Sequence, residues 1–583
     1  MTSRTKYLRK SPKVLPVASL FLVASLLLTA CGAAEAPQAP AAAEQPAAAA
    51  PVEGDAAAPA DAAAPSGEAA PAPAAGGLLA ADNGFRPEVH GFPFPNYGAD
   101  PSITNLTPAD LRRLFGDVVC ARIDGDTCVL TPPGEQWMQM ANKAMNGGHC
   151  EGFAIASTLM YNGKLNASSF GGEKGASLTI AGNEALQREI ALWFITQGTP
   201  PSGGTERKDM TPSQVVDELI AQFARRADQE YYVLGIYQPG YKGGHAVTPY
   251  AIREEADGTT SILVYDNNYP LVERVIKVDR KAETWQYQAS TNPSEAASLY
   301  QGDAGSGTLT LAPISIRLEP QICPFCDQPA QATTGSSRLA APAPEYNELW
   351  QYGDVNVLIT DGEGRRLGFV DGKLVSEIPG AMLAPIKGGL WDDDTAPVWR
   401  IPTGISFTVA LNGQGLDGEE MTDLALVGPG YTLAVEGIMF NEGQEDSIVF
   451  SPDGRRLIYK TNAADTPLLT VGVENDAADY EFEVSVIGDQ DGQEVELILD
   501  PEKSSLAITT AGRDESATYD LVMTRYGEDD EQTFEATEMV LAAGATDYVR
   551  YGEWTGQGSS LKVEIDLDDD GTIDETVEVN DAK

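Results

Sequence analysis

The sequence has few basic residues, few histidines and few cysteines. Its 583 residues include 39 Lys and Arg against 86 Asp and Glu, a formal net charge of −47. Such a surface repels nucleic acid and anionic lipid, which argues against DNA, RNA and phosphate-rich partners. The three histidines, His90, His149 and His245, do not have zinc-ligand spacing. Six cysteines are too few for a disulfide scaffold of this size, and the length predicts several domains.

The N-terminus reads as an export signal. A positively charged stretch precedes the apolar run from Val14 to Leu28, which is too short for an ordinary membrane span. The run ends in Leu28-Thr29-Ala30-Cys31-Gly32, which resembles the lipobox of bacterial lipoproteins. The resemblance implies a signal peptide over 1–30, a lipid on Cys31, and anchoring to the outer face of a membrane at the cell surface. The alternative is an ordinary signal peptide with a chance cysteine.

The next segment has almost no material for a core. Residues from 33 to about 80 are almost wholly Ala, Pro, Glu, Gln and Gly, with no large apolar side chain before Leu78. Such a composition cannot bury enough surface to fold, so we expect a disordered tether over 31–87.

Residues 88–330 combine helix signals with later strand signals. Thr107-Pro108 and Thr211-Pro212 have the cap-and-proline pattern of helix starts, and Asn183 to Gln197 is rich in apolar residues. After Asp228 come short β-branched and aromatic runs: Tyr231 to Tyr237, His245 to Ile252, Ser261 to Asp266, and Leu271 to Val278. Helices followed by an antiparallel sheet predict an α+β domain.

Three distant stretches of this domain carry reactive side chains. Gly147-Gly148-His149-Cys150 delivers a cysteine to the start of an apolar helix, predicted over Phe153 to Tyr161, whose N-terminal field should lower the thiol pKa. Gly244-His245 offers an imidazole at a strand start, and the next strand ends in Tyr265-Asp266-Asn267. Cysteine, histidine and an acid or amide are the parts of a thiol-nucleophile site.

This arrangement resembles the papain-like cysteine peptidase superfamily, including C39-like peptidases and transglutaminase-like proteins, over about 130–290. The resemblance implies that Cys150 attacks a carbonyl in an open cleft and that His245 moves the proton. Asp266 would orient the imidazole, with Asn267 as the alternative. Because neighbouring strand residues point to opposite faces, only one of these two can reach His245.

The second oxyanion donor departs from the family pattern. The backbone N–H of Cys150 can supply one donor, but the papain-type glutamine six residues earlier is Ala144 here. Asn146, Asn142 or Gln139 could substitute, and we take Asn146 as the candidate.

Each part of the site also has a structural explanation. A cysteine entering an apolar helix is often a core residue, a histidine in a strand is often structural, and Asp266-Asn267 is turn chemistry. All three in the right order favour a catalytic site. His149 is a weaker candidate base, and Glu151 is expected to be solvated.

The other cysteines are expected to pair. Cys120 and Cys128 flank a turn-like loop, which predicts a disulfide in an exported protein. Cys323-Pro324-Phe325-Cys326 could be a redox motif, half a zinc site or a local clasp, and a structural disulfide is favoured. Cys150 is then the unpaired thiol.

The C-terminal part predicts an all-β region. A small-residue and proline linker, 331–348, precedes 349–583, where short alternating strands separated by Gly, Asp and Asn turns predict one or two acidic β-sandwich modules. The predicted strands are Val355 to Ile359, Ile405 to Leu411, Tyr480 to Ile487, Val495 to Leu499, Tyr519 to Met523 and Leu561 to Ile565.

Near the end, alternate carboxylates resemble a calcium loop. Asp566, Asp568, Asp570 and Asp574 have the spacing D-x-D-x-D-G-x-x-D, which can wrap a structural calcium ion. Val577 holds the place of the bidentate glutamate of an EF-hand, and the alternative is a plain acidic turn.

Together these patterns predict a surface lipoprotein that hydrolyses peptide or isopeptide bonds in a peptide or protein substrate, with no cofactor for catalysis. Transglutaminase-like acyl transfer would use the same three residues. A non-catalytic binding protein with a degenerate papain-like domain, or an adhesin acting through the β region, are the alternatives.

Overall fold

The structure is a computed structural model that describes residues 77–225, 228–288, 299–327, 346–389, 396–416, 418–487, 493–511 and 515–582. The predicted signal peptide, Cys31 and most of the tether and linker lie outside these residues. The described chain is mostly antiparallel strands, and its helices lie in the N-terminal part. None of the helices in these ranges has the length and apolarity needed to span a membrane.

Three of the α-helices begin at the caps that the sequence signals. Thr107 and Thr211 each form a capping box, and Asn183 caps its helix by accepting from the Leu186 N–H. A helix after Thr131, also begun by a threonine cap and proline, was not among the predicted elements. The helices are α1 Pro87–His90, α2 Pro108–Phe115, α3 Pro132–Ala144, α4 Cys150–Tyr161, α5 Glu184–Ile195 and α6 Pro212–Phe223.

The first sheet carries His245 and leads directly into Asp266. Its strands are β1 Leu78–Asp82, β4 Tyr232–Gln238, β5 Lys242–Glu254, β6 Thr260–Tyr265, β7 Glu273–Asp279, β8 Thr284–Gln288, β9 Leu299–Asp303 and β10 Leu309–Pro313. They run in the order β10-β4-β5-β6-β7-β8-β9, and β1 also pairs with β5. Since β1 lies within 31–87, that part of the predicted tether is a strand of the folded unit. A separate hairpin, β2 Cys120–Asp124 and β3 Thr127–Leu130, precedes α3.

Two further sheets form the C-terminal part. One has the order β15-β16-β11-β18-β19-β22-β23-β26-β27 and the other β14-β13-β12-β17-β20-β21-β24-β25-β28-β29-β30. Their first ten strands are β11 Tyr346–Tyr352, β12 Asn356–Asp361, β13 Arg366–Val370, β14 Lys373–Ser376, β15 Met382–Ala384, β16 Val398–Pro402, β17 Phe407–Asn412, β18 Glu420–Gly428, β19 Tyr431–Phe440 and β20 Glu445–Phe450. The remaining ones are β21 Arg456–Thr461, β22 Leu468–Val473, β23 Asp479–Ile487, β24 Glu494–Asp500, β25 Ser505–Ala511, β26 Ala517–Tyr526, β27 Glu531–Leu541, β28 Thr546–Val549, β29 Leu561–Asp566 and β30 Glu575–Val579.

These two sheets bury one continuous apolar core between them, with members from Leu349 to Val563. Within the described residues the region is therefore one long two-sheet stack.

The sheet that contains β18 is buried on both faces. Leu424 and Leu426 face the core between the sheets, while Ala425 and Val427 face a second core shared with α3, α4 and α5. This explains the continuous apolar run in β18, because a strand covered on both faces needs apolar residues at successive positions. The regions predicted as separate domains thus share a core.

Buried polar contacts join the same two regions. The Trp137 indole N–H donates to Glu348 at 3.0 Å, and Arg400 also binds Glu348 at 2.9 Å. Lys143 on α3 pairs with Asp423 at 2.8 Å and Glu436 at 2.7 Å. The C-terminal sheets are therefore held against the helices that carry Cys150, and a loop from them can reach the site.

Candidate functional site

Cys150 is the first residue of α4, three residues earlier than the predicted helix start. Gly148, with φ of +107°, makes the turn before it, and a Cβ at Gly148 would lie 2.3 Å from the carbonyl oxygen of Gly388. The Ala246 N–H donates to the Cys150 sulfur at 3.2 Å. Glycine is thus needed at position 148 both for the positive φ and for the close approach of the Gly388 carbonyl group.

His245 and Asp266 form a buried pair. His245 lies in β5, Asp266 directly follows β6, and the His245 Nε2 to Asp266 Oδ1 distance is 2.7 Å. Asp266 also accepts from the Tyr287 hydroxyl and, at 2.9 Å, from the Asn268 N–H. Burial alone would raise the pKa of Asp266, but His245, Tyr287 and the Asn268 N–H together lower it below its ordinary value.

The second nitrogen of His245 faces the cysteine. A Cβ built on Gly389 would lie 2.2 Å from His245 Nδ1 and 2.8 Å from Cys150 Sγ. Since both atoms lie that close to one point, they are at most 5.0 Å apart. A modest side-chain rotation brings a thiol and an imidazole at this separation into hydrogen-bond contact.

Asn267, the alternative orienter, binds elsewhere. Its side-chain amide donates to the carbonyl oxygens of Cys150 at 3.2 Å and Ala246 at 2.9 Å. Asn267 therefore joins β5 to the start of α4. Of the two alternatives, Asp266 contacts the His245 ring.

A residue that the sequence did not suggest donates beside the Cys150 N–H. The Asn96 side-chain amide donates to the Gly388 carbonyl oxygen at 3.0 Å, and the Cys150 N–H donates to the same oxygen at 3.1 Å. The Asn96 Oδ1 accepts from the His149 N–H at 2.7 Å and the Tyr97 N–H at 3.0 Å, which directs its NH₂ group at that oxygen.

The three amides proposed from the sequence are placed elsewhere. Asn142 binds Leu106 through both side-chain atoms, and Gln139 donates to Glu135. Asn146 lies partly exposed in the short turn Met145–Gly147. Asn96 lies beside the Cys150 N–H because the loop before α2 folds over the start of α4.

The expected open cleft is covered by the chain itself. Cys150 and His245 are fully buried, and the segment Lys387–Gly389, which follows β15, lies on them. The Cys150 thiol donates to the Lys387 carbonyl oxygen at 3.2 Å. Burial raises the pKa of Cys150 well above its ordinary value, and Glu151 raises it further. The lowered pKa expected from the helix N-terminus is thus outweighed by desolvation in this covered state.

Glu151 is not solvated, as we had expected, but fully buried. It pairs with Arg317 at 2.5 Å and lies 3.4 Å from the Lys387 ammonium nitrogen. His149 is buried between the Tyr97 carbonyl oxygen at 2.8 Å and Asn105 at 2.9 Å. Burial lowers the pKa of His149 to about 4, so it stays neutral and is not oriented toward the sulfur.

The other cysteines are paired in the structure. Cys120 and Cys128 form one disulfide, and Cys323 and Cys326 form another. Among the described residues Cys150 is the free cysteine.

The acidic loop near the end converges only in part. Carboxylate oxygens of Asp566, Asp568 and Asp570 lie within 4.8 Å of one another. Asp574 instead accepts from the Leu567 N–H at 2.9 Å, and Asp566 accepts from the Gly571 N–H at 2.7 Å. The loop therefore offers three convergent acids, and three of its four predicted ligands, Asp566, Asp570 and Asp574, also make turn hydrogen bonds.

The comparisons with known proteins returned nothing: no family model, no curated protein and no solved structure matches the chain. What the site can do rests on its own geometry. Sequence reasoning missed Asn96, Tyr287 and the covering segment, and no local pattern around these residues distinguishes them from ordinary loop and strand residues.

Proposed function

We propose that the chain is a papain-like thiol hydrolase that cleaves peptide or isopeptide bonds through Cys150, His245 and Asp266. The observation that carries the proposal is the contact with Gly388, since two N–H donors meet on one peptide carbonyl oxygen beside a free cysteine. Donors that converge on the oxygen of a peptide group are what acyl transfer requires, because negative charge develops there.

In the proposed reaction each of these residues has a separate role. His245 takes the thiol proton through Nδ1 while Asp266 holds Nε2 and stabilises the imidazolium that forms. The sulfur attacks the substrate carbonyl, and Asn96 and the Cys150 N–H bind the resulting oxyanion. His245 then gives the proton to the leaving amine, and water releases the acyl group from sulfur.

A second candidate is a binding protein that uses the same cleft without catalysis. The full burial of Cys150 favours it, since the thiol is closed off from an external substrate as long as Lys387–Gly389 covers it. Acyl transfer to an amine in place of water would use the same residues as hydrolysis, and the acceptor decides between them.

The test is proteolysis of an unfolded peptide mixture, with new N-termini read by mass spectrometry. Wild-type protein should generate termini that Cys150→Ala and His245→Ala do not. His90→Ala is the matched control, because His90 contacts Tyr161 and the Arg86 N–H away from the site, and it should retain activity. Equal products from wild type and Cys150→Ala would refute the proposal, and an added amine recovered on new C-termini would identify acyl transfer.

We further propose that the protein is a lipoprotein anchored at the bacterial cell surface. The support is the sequence around Cys31. Cys31→Ser should move the protein from the membrane pellet to the soluble fraction, and continued pelleting would contradict lipidation.

A further inference from the structure

The segment that covers the cleft lies on the reactive atoms as a substrate would. We propose that the cleft recognises a lysine followed by two glycines, and that its first substrate is its own chain, cut between Gly388 and Gly389. The inference rests on the hydrolase function proposed above. It adds the substrate class and a processing site.

The hydrogen bonds decide which bond is presented for cleavage. Both oxyanion donors, Asn96 and the Cys150 N–H, bind the carbonyl oxygen of Gly388. The neighbouring Lys387 carbonyl oxygen accepts from the thiol itself, at 3.2 Å. An oxyanion on Lys387 would therefore lack the two N–H groups, whereas one on Gly388 would have both.

The residue after this bond has to be small. Gly389 has φ of +87°, and a Cβ there would lie 2.2 Å from His245 Nδ1 and 2.8 Å from Cys150 Sγ. A side chain would push the imidazole away from the sulfur. The Gly389 carbonyl oxygen accepts from the Asn268 side-chain amide at 2.6 Å, which holds the leaving side of the bond in place.

The residue before Gly388 enters a dedicated acidic pocket. The Lys387 ammonium nitrogen lies 3.0 Å from Glu206 and 3.3 Å from the Tyr237 hydroxyl, and its side chain is only 3% exposed. Glu206 is held in turn by the Thr310 hydroxyl at 2.6 Å. Burial would lower the pKa of Lys387, but Glu151 and Glu206 raise it above its ordinary value, so the ammonium stays charged.

The pocket belongs to a different region from the lysine that fills it. Glu151, Glu206 and Tyr237 come from α4, the loop before α6, and β4, while Lys387 follows β15 in the C-terminal part. The Lys387 N–H also donates to Gln197 at 2.8 Å. A buried lysine matched by acids of another region is a recognition contact, because an ammonium without such partners is costly to bury.

The proposed step balances without a cofactor. The Cys150 sulfur bonds to the Gly388 carbonyl carbon, the C–N bond to Gly389 breaks, and the Gly389 amine takes the proton from His245. Water then attacks the thioester with His245 as base, which restores the thiol and leaves a carboxylate on Gly388. The strands on either side, β15 and β16, remain paired with Leu383 opposite Trp399, so the two pieces stay assembled.

The first experiment follows the intact mass of the full chain during incubation at neutral pH. Wild type should separate under denaturing conditions into one piece ending at Gly388 and one beginning Gly389-Leu390-Trp391. Cys150→Ala should stay intact. Lys387→Glu should slow the cut at least about tenfold, because a carboxylate would face Glu206, while the exposed Lys373→Glu carries the same charge change and should cut normally. A cut between Lys387 and Gly388, or equal rates for the two variants, would overturn the inference.

The second experiment separates this inference from the hydrolase proposal. In Lys387→Glu we expect the covering segment to leave the cleft. Iodoacetamide should then label Cys150 at least about tenfold faster in this variant than in the control variant Lys373→Glu. The same variant should cleave a peptide Ile-Lys-Gly-Gly-Leu faster than Ile-Glu-Gly-Gly-Leu. Peptide cleavage with an uncut wild-type chain, or no preference for lysine, would overturn this inference and leave the hydrolase intact. Absence of all cleavage in every arm would overturn both.

Discussion

Asn96 and Cys150 donate to the same carbonyl oxygen, at 3.0 and 3.1 Å, although Asn96 lies in the loop before α2 and Cys150 begins α4. One donor is a side-chain amide and the other is the first N–H of a helix. Together they are the two donors that the proposed hydrolysis needs for its oxyanion, a pair that the sequence around Ala144 had left incomplete.

This pairing predicts a specific defect for Asn96→Asp. The variant keeps the Oδ1 acceptor for the His149 and Tyr97 N–H groups but loses the NH₂ donor. Loss of one oxyanion donor costs on the order of 100-fold in kcat, so hydrolysis should fall by about that factor, with a smaller change in KM. Asn146→Asp is the matched control, and a variant pair with equal kcat would remove Asn96 from the site.

The contact between Tyr287 and Asp266 predicts a change in pH dependence. Burial raises the pKa of Asp266, whereas His245 lowers it, and the Tyr287 hydroxyl lowers it further. Tyr287→Phe should therefore move the acid limb of kcat/KM to higher pH, because Asp266 would take a proton sooner. Tyr269→Phe, whose ring packs on Arg274, should leave that limb in place, and an unchanged profile in Tyr287→Phe would contradict the assignment.

Glu206 predicts acid sensitivity of the folded state. Burial would raise its pKa, but Lys387 and Lys208 bring it down to about 2 from an ordinary 4.5. The pKa of Glu206 is lower in the folded state than in the unfolded state, so the ionised carboxylate stabilises the fold fully above about pH 4.5. This stabilisation, about 3 kcal/mol in total, is lost as the pH falls toward 2. In urea unfolding, the free energy of unfolding of Glu206→Gln should decrease less over that pH range than the wild-type value does. Substitution of the exposed Glu173 by Gln should leave the wild-type pH dependence unchanged.

The acidic loop before β30 predicts a response to calcium. Carboxylate oxygens of Asp566, Asp568 and Asp570 lie within 4.8 Å of one another, and repulsion from Asp570 raises the pKa of Asp568. A cation would relieve that repulsion, so saturating calcium should raise the melting temperature by about a few degrees, reversibly with chelator. Asp568→Asn should remove the shift and the exposed Asp529→Asn should not. No shift in wild type would assign the loop to turn formation.

Local chemistry made much of the fold predictable. The caps at Thr107, Asn183 and Thr211 begin helices, and the Asp257-Gly258 pair lies in the turn between β5 and β6. Such signals depend on groups a few residues apart, which the sequence displays directly. Helix α3 was not predicted, although Thr131 and Pro132 carry the same start signal.

Burial was the property least accessible from sequence. Glu151 is charged and follows Cys150 at a helix start, so a solvated side chain was expected. It is buried because Arg317 and Lys387, both remote in sequence, neutralise it. These ion pairs depend on how distant parts of the chain pack together, and the residue pattern within α4 does not predict them.

The sequence by itself determined the order of the reactive groups and the elements that carry them: cysteine at the start of α4, histidine in β5, acid after β6. Only the tertiary structure decided that Asn96 and the Cys150 N–H meet on one carbonyl oxygen and that Lys387–Gly389 covers Cys150. Capping and alternation act between near neighbours. The covering of Cys150 instead depends on contacts between residues remote in sequence, among them the packing of α3 against β18, which holds the C-terminal sheets beside the helices.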